Sequence, residues 1–211
     1  MLLGARQFFN TKSGNAEEEM YKEMFLACVA PVPLGETVMI ESDVPTFIAP
    51  SFLANRAWGL NASSPTSSGG RKISFPNVTQ IGLGSIGGVF ADAYVVSVNL
   101  PKLENAYGGT NFQRFRGDTI ELPLLKNFAN HDFSYSPTLK TLRLPSVTSK
   151  SGNFFVYQDT ALENVYLDSM SMATLGVSYV AQQACSTAAV FHCSDGTISY
   201  NGSEWVATPN A

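Results

Sequence analysis

A six-residue pattern recurs along the chain, with apolar side chains at the first, third and sixth places and proline at the fourth. It reads ISFPNV from Ile73, VNLPKL from Val98, IELPLL from Ile120 and LRLPSV from Leu142. VYLDSM from Val165 keeps the apolar places and puts Asp168 where proline stood. AVFHCS from Ala189 is a degenerate sixth copy, and FIAPSF from Phe47 a candidate opening one. Starting at Pro76, the fourth place recurs after 25 residues at Pro101, then after 22 at Pro123, 22 at Pro145 and 23 at Asp168. A period of this length marks a solenoid, in which one coil cannot bury its own apolar face but stacked coils can.

The pattern predicts a three-residue strand in each coil, first and third side chains inward by the period of two. Proline then removes a ladder donor and turns the chain at a corner. Val95, Leu139 and Leu162 add an apolar position three residues upstream of their copies, and Phe90, Phe115, Phe133 and Phe155 return an aromatic to the core downstream. Residues between the inward ones must project outward. The outward pairs are Lys72 and Ser74, Ser97 and Asn99, Thr119 and Glu121, Thr141 and Arg143, Asn164 and Tyr166. The candidate binding ladder is Ser74, Asn99, Glu121, Arg143 and Tyr166, ending in two residue types favoured at binding hot spots.

A stack of coils needs closed ends. VFHCSDGTISYNGSEWV, with turn pairs Asp195-Gly196 and Asn201-Gly202, predicts a β cap in which Trp205 covers the last coil. Near the start, Asn15 and Glu18 resemble an N-cap and its partner, ahead of an expected helix over 16–29 with Met20, Met24 and Phe25 on one side and Pro31 and Pro33 beyond. NASSPTSSGG, 61–70, reads as a loop. The resulting division is a helix-containing assembly module at 1–46, a solenoid at 47–187 and a β cap at 188–211. The fold class is an α+β repeat protein with a parallel β-sheet face.

Composition narrows the function. Charged residues are 14% against 45% hydrophobic, well below the roughly 25% charge of an ordinary domain. Residues 1–46 hold seven acids and three bases, and 47–211 hold ten of each, so the net charge of -4 belongs to the first segment. The repeat body carries no electrostatic footprint for nucleic acid or an anionic membrane. No run approaches the ~20 apolar residues of a spanning helix. The opening MLLGARQFFN has too short an apolar stretch for an export signal of roughly 7 to 15 residues, so Sec export is not expected if Met1 is the start.

The copies resemble the BspA-like class of leucine-rich repeats, found in surface proteins of gut and oral bacteria and in genes of their phages. LPSVTSKSGNFFVYQDTALENVYL, from Leu144 to Leu167, carries the resemblance best, and FHCSDGTI is similar to a terminal cap of that class. Asp168 and the long, glycine-rich coil at 73–97 depart from it. The resemblance covers about 120 to 140 residues of the C-terminal part. It implies a leucine-rich solenoid that binds proteins or cell-surface material, with no catalytic residue and no cofactor.

Other motifs are weak. Gly82, Gly84 and Gly87 in GLGSIG have dinucleotide-loop spacing, but Gly87-Gly88 is a poor helix start and the segment leads into the next strand. His131 and Asp132 with Ser134, and His192 and Cys193 with Asp195, are the local candidates for nucleophilic catalysis. Neighbours on a strand point to opposite faces, so His192 and Cys193 should diverge. Glu17, Glu18 and Glu19 suit the first turn of the expected helix. Sequons at Asn61, Asn77 and Asn201 matter only on a glycosylating route. Cys28, Cys185 and Cys193 are an odd number without metal spacing and read as buried thiols, with a Cys185–Cys193 pair as the alternative.

The expectation is therefore a non-enzymatic virion-type structural or host-attachment protein. It would be part of a larger assembly or a homo-oligomer, and would contact other structural proteins and a host surface protein or glycan. A bacterial surface adhesin or glycan-binding protein is the alternative.

Overall fold

The computed structural model describes residues 6–9, 32–43, 46–47, 68–82, 88, 90–91 and 94–211. The fold is mostly β, with parallel strands stacked into a β-solenoid of about five turns. One sheet joins β1 (Arg6–Phe9), β2 (Val32–Ser42), β4 (Ser68–Ser74) and β6 (Val95–Asn99) in that order, all parallel. A second joins β8 (Thr119–Glu121), β10 (Thr141–Arg143), β12 (Asn164–Leu167) and β13 (Val190–Cys193), again parallel. The antiparallel β14 (Gly196–Tyr200) and β15 (Trp205–Pro209) complete it. Short strands β3 (Thr46–Phe47), β5 (Gln80–Ile81) and β7 (Asn105–Ala106) form another side, continued by β9 (Asn127–Phe128) paired with β11 (Ser149–Lys150).

Inward positions of the hexapeptides form the core. Ile73, Phe75 and Val78, then Leu100 and Leu103, Ile120, Leu122 and Leu125, Leu142, Leu144 and Val147, and Val165, Leu167 and Met170 are all buried. The upstream Val95, Leu139 and Leu162 join them. Phe90, Phe115, Phe133 and Phe155 are buried too, but the ring between Phe90 and Phe133 is Phe112, at 5.8 Å and 5.5 Å.

Three placements differ from the pattern. Ahead of Ile73, the residue in its column is Ile40 of β2, while Phe47 pairs with Ile81 on the short-strand side. Strands from both Arg6–Phe9 and Val32–Ser42 thus extend the parallel sheet upstream of residue 47. In the last copy Phe191, not Ala189, lies opposite Val165. Finally, α1 (Met172–Leu175) and α2 (Val177–Ala181) occupy the last coil, each too short to show helical periodicity. The expected helix over 16–29 and residues 61–67 of the expected loop lie outside the described residues, while 68–70 of that loop belong instead to β4.

Among the described residues the third side of the coils has no strand. There Thr110, Phe112 and Arg114 donate N–H groups to the carbonyls of Asn130, Asp132 and Ser134 in the next coil. His131, Phe133 and Tyr135 repeat this with Phe154, Phe155 and Tyr157. Thr110, Arg114, His131 and Tyr135 have φ near +60°, a conformation that turns alternate amides along the stack. Gly109 also has positive φ, and a Cβ there would meet Asn130 O at 2.6 Å. Gly109→Ala must move backbone at a coil contact. It is expected to cost roughly 1 to 3 kcal/mol, read by urea unfolding; a loss near zero would mean the two coils slide apart easily.

Buried polar side chains complete this side. Asp132 accepts from Asn111 N and Nδ2, both at 3.0 Å, and from Ala129 N at 2.6 Å. Ser136 Oγ takes Phe115 N, and Asp159 takes Ser136 N at 2.7 Å. Gln183, after α2, accepts from Phe155 N and Val156 N and donates to Asn153 O and Tyr179 O. Each satisfies coil-end amides that would otherwise be buried without a partner. At the C-terminal end Trp205 meets Phe191 edge-on at 5.7 Å, so the antiparallel hairpin covers the last coil.

Candidate functional site: the outward strand ladder

The alternation that buries Ile120, Leu142, Val165 and Phe191 leaves their following neighbours on the outer face. In register, Glu121 lies beside Arg143, Arg143 beside Tyr166, Tyr166 beside His192 and His192 beside Thr197. Glu121 and Arg143 are exposed, Tyr166 and His192 half-buried. Arg143 Cζ sits 4.0 Å from the centroid of the Tyr166 ring. On the other side of Tyr166 the His192 ring stacks at 4.5 Å, the planes only 7° apart. Asn164 Oδ1 is 3.0 Å from His192 Nε2 and fixes the imidazole. Its burial lowers the His192 pKa, opposed by Asp168 and reinforced by Arg143, so the imidazole is neutral at pH 7.

A guanidinium and two rings thus stand in one row, each held by the next. Parallel strands bring them to neighbouring rungs, where cross-strand partners touch, and a guanidinium over a tyrosine face gains from the ring quadrupole. The row presents donors and aromatic edges with little freedom left to lose, the property that lets a few residues dominate binding.

The five residues of the sequence-derived ladder fall in two sheets. Ser74 and Asn99 belong to the four-stranded sheet, with Asn99 Nδ2 donating to Ser74 Oγ at 3.0 Å. Glu121, Arg143 and Tyr166 belong to the six-stranded sheet. His192 is the rung that sequence reasoning missed. Reading the last copy from Ala189 puts His192 at the fourth place, whereas aligning Phe191 with Val165 would have put it in the column of Arg143 and Tyr166.

The candidate catalytic clusters are placed less suggestively. His131 Nδ1 lies 3.3 Å from Ser134 Oγ, but both Asp132 oxygens accept from Asn111 and Ala129, leaving no carboxylate on the imidazole. Ser134 Oγ also accepts Tyr157 N. His192 and Cys193 diverge, one outward and one buried. Cys185 and Cys193 are free thiols. Burial, with smaller contributions from Asp159 and Asp195 respectively, pushes them up to about 12 and about 11, far from thiolate. Among the described residues no cluster of His, Cys, Asp or Glu has the makings of a metal site, and no helix is long and apolar enough to cross a membrane. Of the glycine motif, Gly84 and Gly87 lie outside the described residues, as do Glu17, Glu18, Glu19, Asn61 and Cys28.

Comparison with family models, with curated proteins and with solved structures finds no match.

Proposed function

We propose that this chain is a non-enzymatic binding and assembly protein of the leucine-rich type, a virion component serving decoration, fibre or host attachment. The observation that carries the reading is the row Arg143, Tyr166 and His192, pre-set on the outer face of a rigid stack. Charge asymmetry supports it: the acidic first 46 residues precede a neutral repeat body, a division between attachment and display. Its partners are other structural proteins and a host surface protein or glycan.

The Arg143→Ala, Tyr166→Ala double variant tests the row. Neither side chain belongs to the core, so melting should barely change. Binding to purified particles or to host cells should fall by about a hundredfold or more, as expected for two hot-spot residues at roughly 2 kcal/mol each. Unchanged binding by both targets removes the row as the recognition surface. Capsid and tail genes beside its own are expected on this reading.

A bacterial surface adhesin that binds glycan is the second reading, favoured by a different surface. His131, Tyr135, Phe154 and Tyr157 form a cluster of half-buried rings with centroid distances between 4.8 and 6.0 Å. Arg114 lies 5.8 Å from the Tyr135 centroid. Rings with one apolar face and a polar tip suit a wet, amphipathic ligand. Mucin binding that survives the double variant but is lost on Tyr157→Ala would favour it.

A further inference from the structure

The strand face is interrupted between β6 and β8, which belong to different sheets. At three other coil boundaries the ladder runs one residue past the strand: Phe75 N–H donates to Asn99 O at 3.0 Å, Leu122 N–H to Arg143 O at 3.0 Å, and Leu144 N–H to Tyr166 O at 2.9 Å. Among the described residues the matching bond from Leu100 N–H to Glu121 O is missing. Val98 is half-buried, while Ile73, Ile120, Leu142 and Val165 in the same column are at most 1% exposed. A cleft of about 290 Å³ opens there, walled by Val98, Asn99, Leu100, Pro101, Glu121 and Pro123. Leu124, next to it in sequence, is exposed.

The opening is a wedge rather than a full separation. At the entry end of the strands Arg116 N–H donates to Val95 O at 2.8 Å, and a Cβ on Gly117 would fall 2.2 Å from Val96 O. Lys126 N–H reaches Glu104 O at 3.1 Å, and the third side stays bonded through Thr110, Phe112 and Arg114. Only the exit end, where the missing bond belongs, is open. Glu121 stands exposed at its mouth and has no ion pair among the described residues; Arg143, beside it in register, is instead held over Tyr166.

We propose that this wedge binds a short extended peptide of a protein partner carrying a lysine or arginine. The unmade ladder bond leaves the Leu100 N–H and the Glu121 carbonyl at the wall of the cleft without each other. A peptide backbone supplies the complement of both, the basis of strand addition at a sheet edge. A simple cation would answer only the carboxylate and carbonyl, an anion only the N–H. Val98 and the two prolines line the cleft with aliphatic surface, which suits the stem of a long basic side chain, and Glu121 suits its charged end. The volume is near the lower end of ligand pockets, roughly 300 to 1,000 Å³, so two or three residues fill it. This site lies apart from the Arg143, Tyr166 and His192 row and does not depend on it.

The test uses the full ¹⁵N-labelled chain with acetyl-Val-Lys-Val-Lys-Val-amide, its glutamate counterpart, and lysine methylamide as a small cation. The lysine peptide should slow hydrogen exchange at the Leu100 amide by about tenfold or more and shift the amides of Val98, Leu100 and Glu121. The glutamate peptide and lysine methylamide should not. Glu121→Gln should weaken the lysine peptide about 3- to 10-fold with unchanged melting, and the Arg143→Ala, Tyr166→Ala variant should bind it as the parent does. The proposal is overturned by unprotected Leu100 at saturating lysine peptide, by equal binding of the two peptides, by equal protection from lysine methylamide, or by an indifferent Glu121→Gln. Loss of ladder binding with peptide binding intact, or the reverse, separates the two sites.

Discussion

Replacing Phe155 by alanine is expected to destabilise the protein by about 3 to 5 kcal/mol, lowering Tm by on the order of 10 °C. Its ring stacks on Phe128 at 4.2 Å and 12°. It also lies 6.0 Å from Tyr179, with the planes 15° apart, and meets Phe191 edge-on at 6.2 Å. It therefore joins the coil before it, the helical segment and the last strand of the parallel ladder. Phe155 is fully buried, and interiors packed this closely do not collapse onto the space a missing ring leaves. The cost is apolar area returned to water together with the cavity. Urea unfolding followed by tryptophan fluorescence reads it through Trp205, which contacts the Phe191 that Phe155 supports. A loss below about 1 kcal/mol would mean that α2 closes the gap.

Stability is also expected to fall as pH rises from about 4 to about 8, and Asp159 is the cause. Its Oδ1 accepts Ser136 N, but Oδ2 is buried without a hydrogen-bond partner. Burial drives the carboxyl up to about 8, and the Ser136 amide offsets this only in part. In the unfolded chain the same group ionises near its ordinary value of 3.8. Across that window the folded chain keeps a proton that the unfolded chain releases. The stabilisation is complete below about pH 4, and declines by at most about 1.4 kcal/mol per pH unit until the folded group ionises near 8. Asp132, raised in the same direction by its burial, adds to the trend. Asp159→Asn cannot ionise and should remove one proton's share of the slope, so parent and variant diverge toward pH 8. Parallel profiles from pH 4 to 8 would show that Asp159 is ionised in the folded protein.

The repeat was legible because solenoid packing imposes the same demand on every coil. A buried first and third place, a proline corner and a period of 22 to 25 residues followed from that demand, and Ile73, Ile120, Leu142 and Val165 occupy one column. Legibility failed where the demand is met by something other than apolar spacing. Asp132, Asp159 and Gln183 are buried because they capture amides of neighbouring coils, and no periodicity announces a buried carboxylate. Phe112 and Phe115 are both buried, three residues apart, and pattern alone does not say which ring enters the stack. The final copy was misread by two residues because Ala189 and Phe191 both satisfy an apolar place, which displaced His192 from the ladder. The opening between β6 and β8 had no sequence signal, since VNLPKL and IELPLL both fit the pattern.

The coil from Thr119 to Lys140 bonds to the coils before and after it through amides of the third side, and to the following coil also through ladder pairs such as Ile120 with Leu142. Because such contacts reach only the nearest coil, the stack is indifferent to how many lie between its ends. Ancestral lengthening or shortening can then proceed in steps of one coil, carrying each outward rung with it. Gene duplication within the repeat would add a new position to the outward row while leaving the hairpin around Trp205 unchanged, so the reach of this surface is an inheritable quantity that selection can count in whole turns.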